Sequence, residues 1–121
     1  MNQLLVEHLL KHSVKRGEFT LRSGKQSNWF IDAKQTTCSP DGMLLVADAF
    51  LAVLPEEITA VGGLTMGADG ITFSVAAIAA TRGRMLRSFS VRKEEKDHGA
   101  GGRIAGSRRT PAGGPITATE G

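Results

Sequence analysis

The strongest constraint on the fold lies between residues 58 and 91. Ile58-Thr59-Ala60-Val61-Gly62-Gly63 is a short apolar run ending in glycines, and residues 68–81 carry Ile71, Val75 and Ile78 at helical spacing. Residues 84–91 follow as a second extended segment. A strand, a tight turn, a helix and another strand in that order predict a right-handed crossover in a parallel sheet, the hand that lets the helix pack back on twisted strands. The ligand crevice of such sheets forms at the carboxyl ends of the strands. The turn at Thr65 and the segment beginning at Arg92 both fall at that edge, so period and topology already point to a substrate site there.

Before this unit, residues 2–14 place Leu5, Leu9 and Leu10 on one side with Glu7 and Lys11 elsewhere, which predicts an amphipathic helix capped by Asn2 and packed on the domain edge. From Gly17 the pattern shifts to short extended pieces, 18–21 and 29–32, separated by Ser23-Gly24, as in a hairpin arm. Ser39-Pro40-Asp41 marks a helix start. Ser39 can cap, Pro40 has a φ suited to the first turn, and Asp41 suits the positive end of the dipole. That helix is expected to run to about Val53. Beyond Gly106 one large apolar residue and no period remain, so residues 107–121 are expected to form a disordered or aberrant tail after a single domain over 1–106.

The chain has 121 residues and one cysteine, Cys38. That length can bury a core without disulfides, an intrachain disulfide is impossible, and a cytoplasmic setting is the simplest inference. Neither a cleavable signal pattern nor an apolar run of membrane-spanning length is evident, so a soluble protein is expected. The net charge is +3, unevenly spread: residues 1–81 hold six Lys or Arg against eight Asp or Glu, and residues 82–121 hold nine against four. A basic second part suits nucleic acid or a small polyanion. Phe89 is the sole aromatic there, which leaves no stacking platform of the kind single-strand binders use.

Three segments carry candidate chemistry. Arg92-Lys93-Glu94-Glu95-Lys96-Asp97-His98-Gly99-Ala100-Gly101-Gly102 interleaves cations with acids and runs into glycines. It is either a solvated charged loop or one built to close over a polyphosphate, where preorganised positive groups offset developing charge. Thr65-Met66-Gly67-Ala68-Asp69 offers amides at a helix start, favourable to an anion, or is a plain structural turn. Trp29 and Phe30 are either hairpin core or exposed aromatic contacts.

In order and spacing these segments resemble orotate phosphoribosyltransferase, a type I phosphoribosyltransferase. Phe19-Thr20-Leu21-Arg22-Ser23-Gly24-Lys25-Gln26-Ser27-Asn28-Trp29-Phe30-Ile31-Asp32 is similar to that family's N-terminal hairpin. Gly62-Gly63-Leu64-Thr65-Met66-Gly67-Ala68-Asp69 is similar to its pyrophosphate-contacting turn, and the Arg92 segment to its flexible catalytic loop. The likeness spans roughly residues 2–106. It implies an α/β fold: an incomplete, Rossmann-like parallel sheet with an N-terminal helix and hairpin arm. It implies transfer of 5-phosphoribosyl from phosphoribosyl pyrophosphate to orotate in pyrimidine biosynthesis, with Mg2+ bound through the diphosphate. It further implies a homodimer with shared active sites, and no protein metal ligands.

Residue by residue, the resemblance implies that Lys96 and His98 assist departure of the diphosphate, and that Arg92, Lys93, Thr65 and Met66 contact the same substrate. Arg22 would reach it across the dimer, and Phe30 would lie where the family packs against orotate. The family continues into an acidic pair and a Thr-Thr-Gly turn that hold the ribose 5-phosphate, whereas Thr117-Ala118-Thr119-Glu120-Gly121 offers a single acid. Two expectations follow: a reading frame disrupted or truncated near Ala105, and a chain whose catalysis alone is very weak or absent. The rival readings are a non-catalytic diphosphate-binding module and a basic RNA-associated module.

Overall fold

The computed structural model describes residues 2–94 and 102–107. Its centre is the crossover: β3 (Ala60–Leu64), α4 (Asp69–Thr81) and β4 (Arg87–Val91), with β3 and β4 parallel and paired from Ala60↔Arg87 to Leu64↔Val91. The expected strand–helix–strand unit is therefore present. A short β5 (Ile104–Gly106) adds antiparallel to β4, giving the sheet order β3-β4-β5.

Complementary size fixes the centre of the sheet. Phe89 is fully buried and pairs directly with Gly62. A Cβ at residue 62 would overlap three ring carbons of Phe89, so only glycine leaves room for the ring. Below it, Ala47, Val61, Val75, Ala79 and Leu86 form the buried cluster, flanked by Leu51, Leu54, Ile58, Ile71 and Ile78. Small residues on α4, Ala76 and Ala79 among them, face the strands and the preceding long helix, α3 (Pro40–Val53). The second strand begins at Arg87 rather than residue 84 because the chain is still closing α4 there: the Arg84 amide donates to Ala79 O at 2.9 Å after Gly83 at φ +82°, while its guanidinium donates to the carbonyls of Leu54, Pro55 and Ile58.

Helix α3 (Pro40–Val53) begins as expected, with Ser39 Oγ accepting from the Gly42 amide and Pro40 in the first turn. At the N-terminus α1 (Gln3–His8) is capped by Asn2, whose side chain accepts from the Leu5 amide, and continues as a π-helical turn, Leu9–Ser13. Leu10 does not join Leu5 and Leu9 on the packed side; it is exposed where the chain changes to the wider winding. Two elements lacked any sequence signal: β5, and a single helical turn, α2 (Lys34–Thr37).

Helix α2 completes a polar knot that holds the N-terminal elements together. Buried His8 places Nδ1 3.0 Å from Thr36 Oγ1, and that hydroxyl lies 2.6 Å from Ser13 Oγ. On its other side His8 Nε2 is 3.1 Å from Asp41 Oδ2. The contacts fit together with Nε2–H donating to Asp41, Nδ1 accepting from Thr36 and Thr36 accepting from Ser13, while Ser39 Oγ, 3.4 Å from Nε2, donates to Thr36 O. The hydrogen bond from His8 holds the Asp41 carboxyl below its ordinary range.

From this knot the hairpin projects. Its strands, β1 (Val14–Thr20) and β2 (Gln26–Ile31), are longer than expected and pair antiparallel, with an irregularity between Arg16 and Phe19. The Asp32 amide donates to the Ser13 carbonyl at 2.8 Å and closes its base. At the tip Gly24 has φ +87°, and its amide donates to Leu21 O. Trp29, Phe30 and Ile31 are all about half exposed, and Phe30 also packs against Phe19 within the hairpin, so Phe30 is part hairpin contact and part exposed surface. The two-stranded ribbon has no second layer over it among the described residues.

Candidate active site at the carboxyl edge of the parallel strands

In-register parallel pairing brings Leu64 and Val91 side by side, so the chain leaves both strands at the same edge. The Thr65 amide continues the ladder by donating to Val91 O at 2.9 Å. The turn then closes on itself, with Ala68 N donating to Leu64 O at 3.0 Å and Asp69 N to Met66 O at 3.2 Å. The Thr65–Met66 peptide is cis. Met66 is exposed, Gly67 has open space around its α-carbon, and the amides of both lack a hydrogen-bond partner among the described residues. Two unengaged N–H groups at the start of α4 are well suited to an anion.

Asp69, the first residue of α4, holds this edge together. Its Oδ2 accepts from Thr65 Oγ1 at 2.7 Å, and its Oδ1 accepts from Ser90 Oγ at 2.6 Å. One carboxylate thus joins the turn after β3 to the end of β4. Neither partnership was expected from the sequence, since Ser90 lies 21 positions away. The available signal was a carboxylate opening a helix at a strand edge.

Past Val91 the chain is clasped again. Arg92 N donates to Arg103 O at 2.6 Å, and Arg103 Nε donates to Arg92 O at 2.8 Å. Arg92 and Lys93 make no ion pair among the described residues, and Lys93 is exposed. The structure therefore brings Thr65, Met66, Arg92 and Lys93 to one edge. It does not bring Arg22 or Phe30 there by any recorded contact. Arg22 is exposed at the hairpin tip, and Phe30 stands against Phe19 with ring centroids 5.7 Å apart. Lys96 and His98 lie outside the described residues, as does the expected tail beyond Ser107. A concavity on the hairpin is lined by Glu18, Gln26, Ser27 and Asn28 and is bordered by none of the expected site residues.

No cluster of three His, Cys, Asp or Glu side chains suited to a metal ion occurs among the described residues. Nor, among them, is any helix long and apolar enough to cross a membrane.

Comparison with known proteins connects this edge to a family. No protein-family profile matches the chain. The orotate phosphoribosyltransferase of Nostoc sp. is 37% identical over 106 residues, covering 88% of this chain and 52% of that protein. That of Streptomyces coelicolor is 36% identical over 129 aligned positions, covering 96% of this chain and 71% of that protein. The chain belongs to the orotate phosphoribosyltransferase family. It spans about half the length of several curated relatives it matches. Among solved structures, the Mycobacterium tuberculosis orotate phosphoribosyltransferase in complex with Fe(III) dicitrate superposes with a TM-score of 0.72 at 31% identity, over 89% of this chain and 61% of that one. The same enzyme in complex with 5-phospho-alpha-D-ribosyl 1-diphosphate gives 0.65 at 28% identity, over 86% and 55%. The type I phosphoribosyltransferase fold expected from the motifs is thereby shown, over part of its neighbours' length.

Proposed function

We propose that residues 1–106 form the diphosphate-binding portion of an orotate phosphoribosyltransferase. The reaction moves 5-phosphoribosyl from phosphoribosyl pyrophosphate to orotate, giving orotidine 5′-phosphate and pyrophosphate. The carrying observation is the meeting of two segments at one edge. Thr65 N on Val91 O sets the amide-bearing turn beside the start of the cationic loop, and both are places where a polyanion is favoured. Phosphoribosyl pyrophosphate bound to a relative of the same fold supports the choice of ligand.

In the transfer the bond from the anomeric carbon to the diphosphate oxygen breaks, the diphosphate leaves with the electron pair, and an orotate ring nitrogen forms the new bond as its N–H proton is released to the departing diphosphate or to water. The protein must hold both partners in line and offset the leaving charge. The Met66 and Gly67 amides, Arg92 and Lys93 would hold the diphosphate. Lys96 and His98 would neutralise it as it departs, with Lys96 serving the site of a neighbouring subunit in a homodimer. Arg22 would reach the diphosphate across that dimer, and Phe30, with its ring half exposed, would cover orotate. Asp69 already accepts two hydroxyl hydrogen bonds, and no cluster of three metal-binding side chains occurs among the described residues. Mg2+ would accordingly arrive as part of the substrate, held by diphosphate oxygens. A cytoplasmic setting fits a biosynthetic transferase.

Calorimetry with phosphoribosyl pyrophosphate and Mg2+ tests the proposal. Binding competed by inorganic pyrophosphate is expected, and Lys96→Ala or His98→Ala should weaken it. Absence of diphosphate binding, together with RNA binding that falls steeply with salt, would overturn the proposal in favour of the basic module.

A further inference from the structure

A carboxylate at an edge meant for a diphosphate is electrostatically misplaced unless it does something else. Asp69 stands there. Its negative charge is partly offset by the first turn of α4, and both oxygens are engaged by hydroxyls from different segments. Thr65 belongs to the turn that presents the amides of Met66 and Gly67. Ser90 belongs to β4, one residue before the Val91 carbonyl that receives the Thr65 amide. We infer that Asp69 is a positioning residue: it clamps the turn after β3 to the end of β4, and so aims the Met66 and Gly67 amides at the anion.

The same geometry limits what the Thr65 side chain can do. Its hydroxyl proton is committed to Asp69, so toward a ligand the oxygen can only accept. An anionic phosphate oxygen needs donors. Its amide is likewise given to Val91 O, so Thr65 offers the diphosphate no donor of its own; the contact falls to the Met66 and Gly67 amides, and it is Asp69 that keeps them in place.

This inference rests on the proposed diphosphate reading, and the sign of one effect separates it from simpler roles. Removing a negative charge near an anion site should tighten anion binding. Removing a clamp should loosen it. Inorganic pyrophosphate is titrated calorimetrically against the full chain and against Asp69→Ala, Asp69→Asn and Ser90→Ala, with the melting temperature of each recorded. Asp69→Ala is expected to weaken pyrophosphate about tenfold, the scale of one hydrogen bond to a charged group. Asp69→Asn, which can accept from only one of the two hydroxyls through its oxygen, should fall between Ala and Asp. The Asp69→Ala/Ser90→Ala double variant should bind no more weakly than Asp69→Ala, since both changes break the same clamp.

Equal or tighter binding by a folded Asp69→Ala overturns the inference. So does a lower melting temperature with unchanged pyrophosphate affinity, which would mark a purely structural residue. Should Asp69→Ala fail to fold, Ser90→Ala decides: weaker pyrophosphate binding supports the clamp and unchanged binding overturns it. If the unaltered chain binds no pyrophosphate, the diphosphate reading itself fails and the inference falls with it.

Discussion

The crossover and the hairpin solve opposite problems with the same kind of element. In β3 the residues from Ala60 to Gly63 are all buried, and their partner strand drives Phe89 into the space left by Gly62. In β2, five of six residues are exposed, including Trp29, Phe30 and Ile31. Burial makes the first region intolerant of any change in volume, since protein interiors are close-packed. Exposure leaves the second free to carry side chains chosen for something other than stability. The strand that the fold depends on is thus rich in glycine, and the strand that a ligand or partner could meet is rich in large apolar residues.

The sharpest way to break this contrast is Phe89→Ala. It should cost about 3–5 kcal/mol, as for other buried aromatics, and denaturant unfolding would measure it. If the cost is under about 1 kcal/mol, the packing against Gly62 is not what defines the sheet. Next in size is Arg84→Ala, which strips three carbonyls of a charged donor where the chain crosses from α3 toward β3. A loss of about 1–2 kcal/mol is expected, with part of the site exposed to water.

A smaller effect concerns the knot and appears only in acid. Because the folded-state pKa of Asp41 is depressed by the hydrogen bond from His8, its contribution is present above the unfolded carboxylate pKa and is lost as pH falls below about 4. Asp41→Asn should therefore flatten the pH dependence of the melting temperature in that range while leaving its slope near pH 7 unchanged. An unaltered acid slope would remove Asp41 from the knot. Least of all should be Trp29→Ala on the open ribbon, within about 0.5 kcal/mol of the parent in stability. A larger loss would mean that Trp29 is covered in solution, which sedimentation could relate to dimer formation.

Local pattern was enough for the crossover, because Ile71, Val75 and Ile78 repeat at the helical period and Gly62-Gly63 ends a short apolar run. It was also enough for α3, where Ser39, Pro40 and Asp41 each act within one turn. It failed where contacts are long-range and polar. Nothing near His8 announces Thr36, 28 positions on, and nothing near Asp69 announces Ser90. It also failed for α2 and β5, which are too short to show a period, and for Leu10, where an α-helical wheel does not hold across a π-turn. The order of strands and turns was enough to put Thr65, Met66, Arg92 and Lys93 at the carboxyl edge of the parallel strands, where they stand in the structure. The groups that orient them were not legible, because hydroxyls and a lone carboxylate carry no distinctive spacing.

The closed base of the hairpin has a mechanical consequence. With Ser13 tied to both Asp32 and Thr36, the ribbon is hinged at one fixed end and extends seven residues along β1 before its bend. At about 3.3 Å per residue that is a lever of roughly 20 Å, so a tilt of only about 10° at the fulcrum carries the guanidinium of Arg22 through about 3–4 Å. The hydroxyls beside the His8 imidazole thus sit at the one end of the ribbon where a small change of angle is magnified at the other.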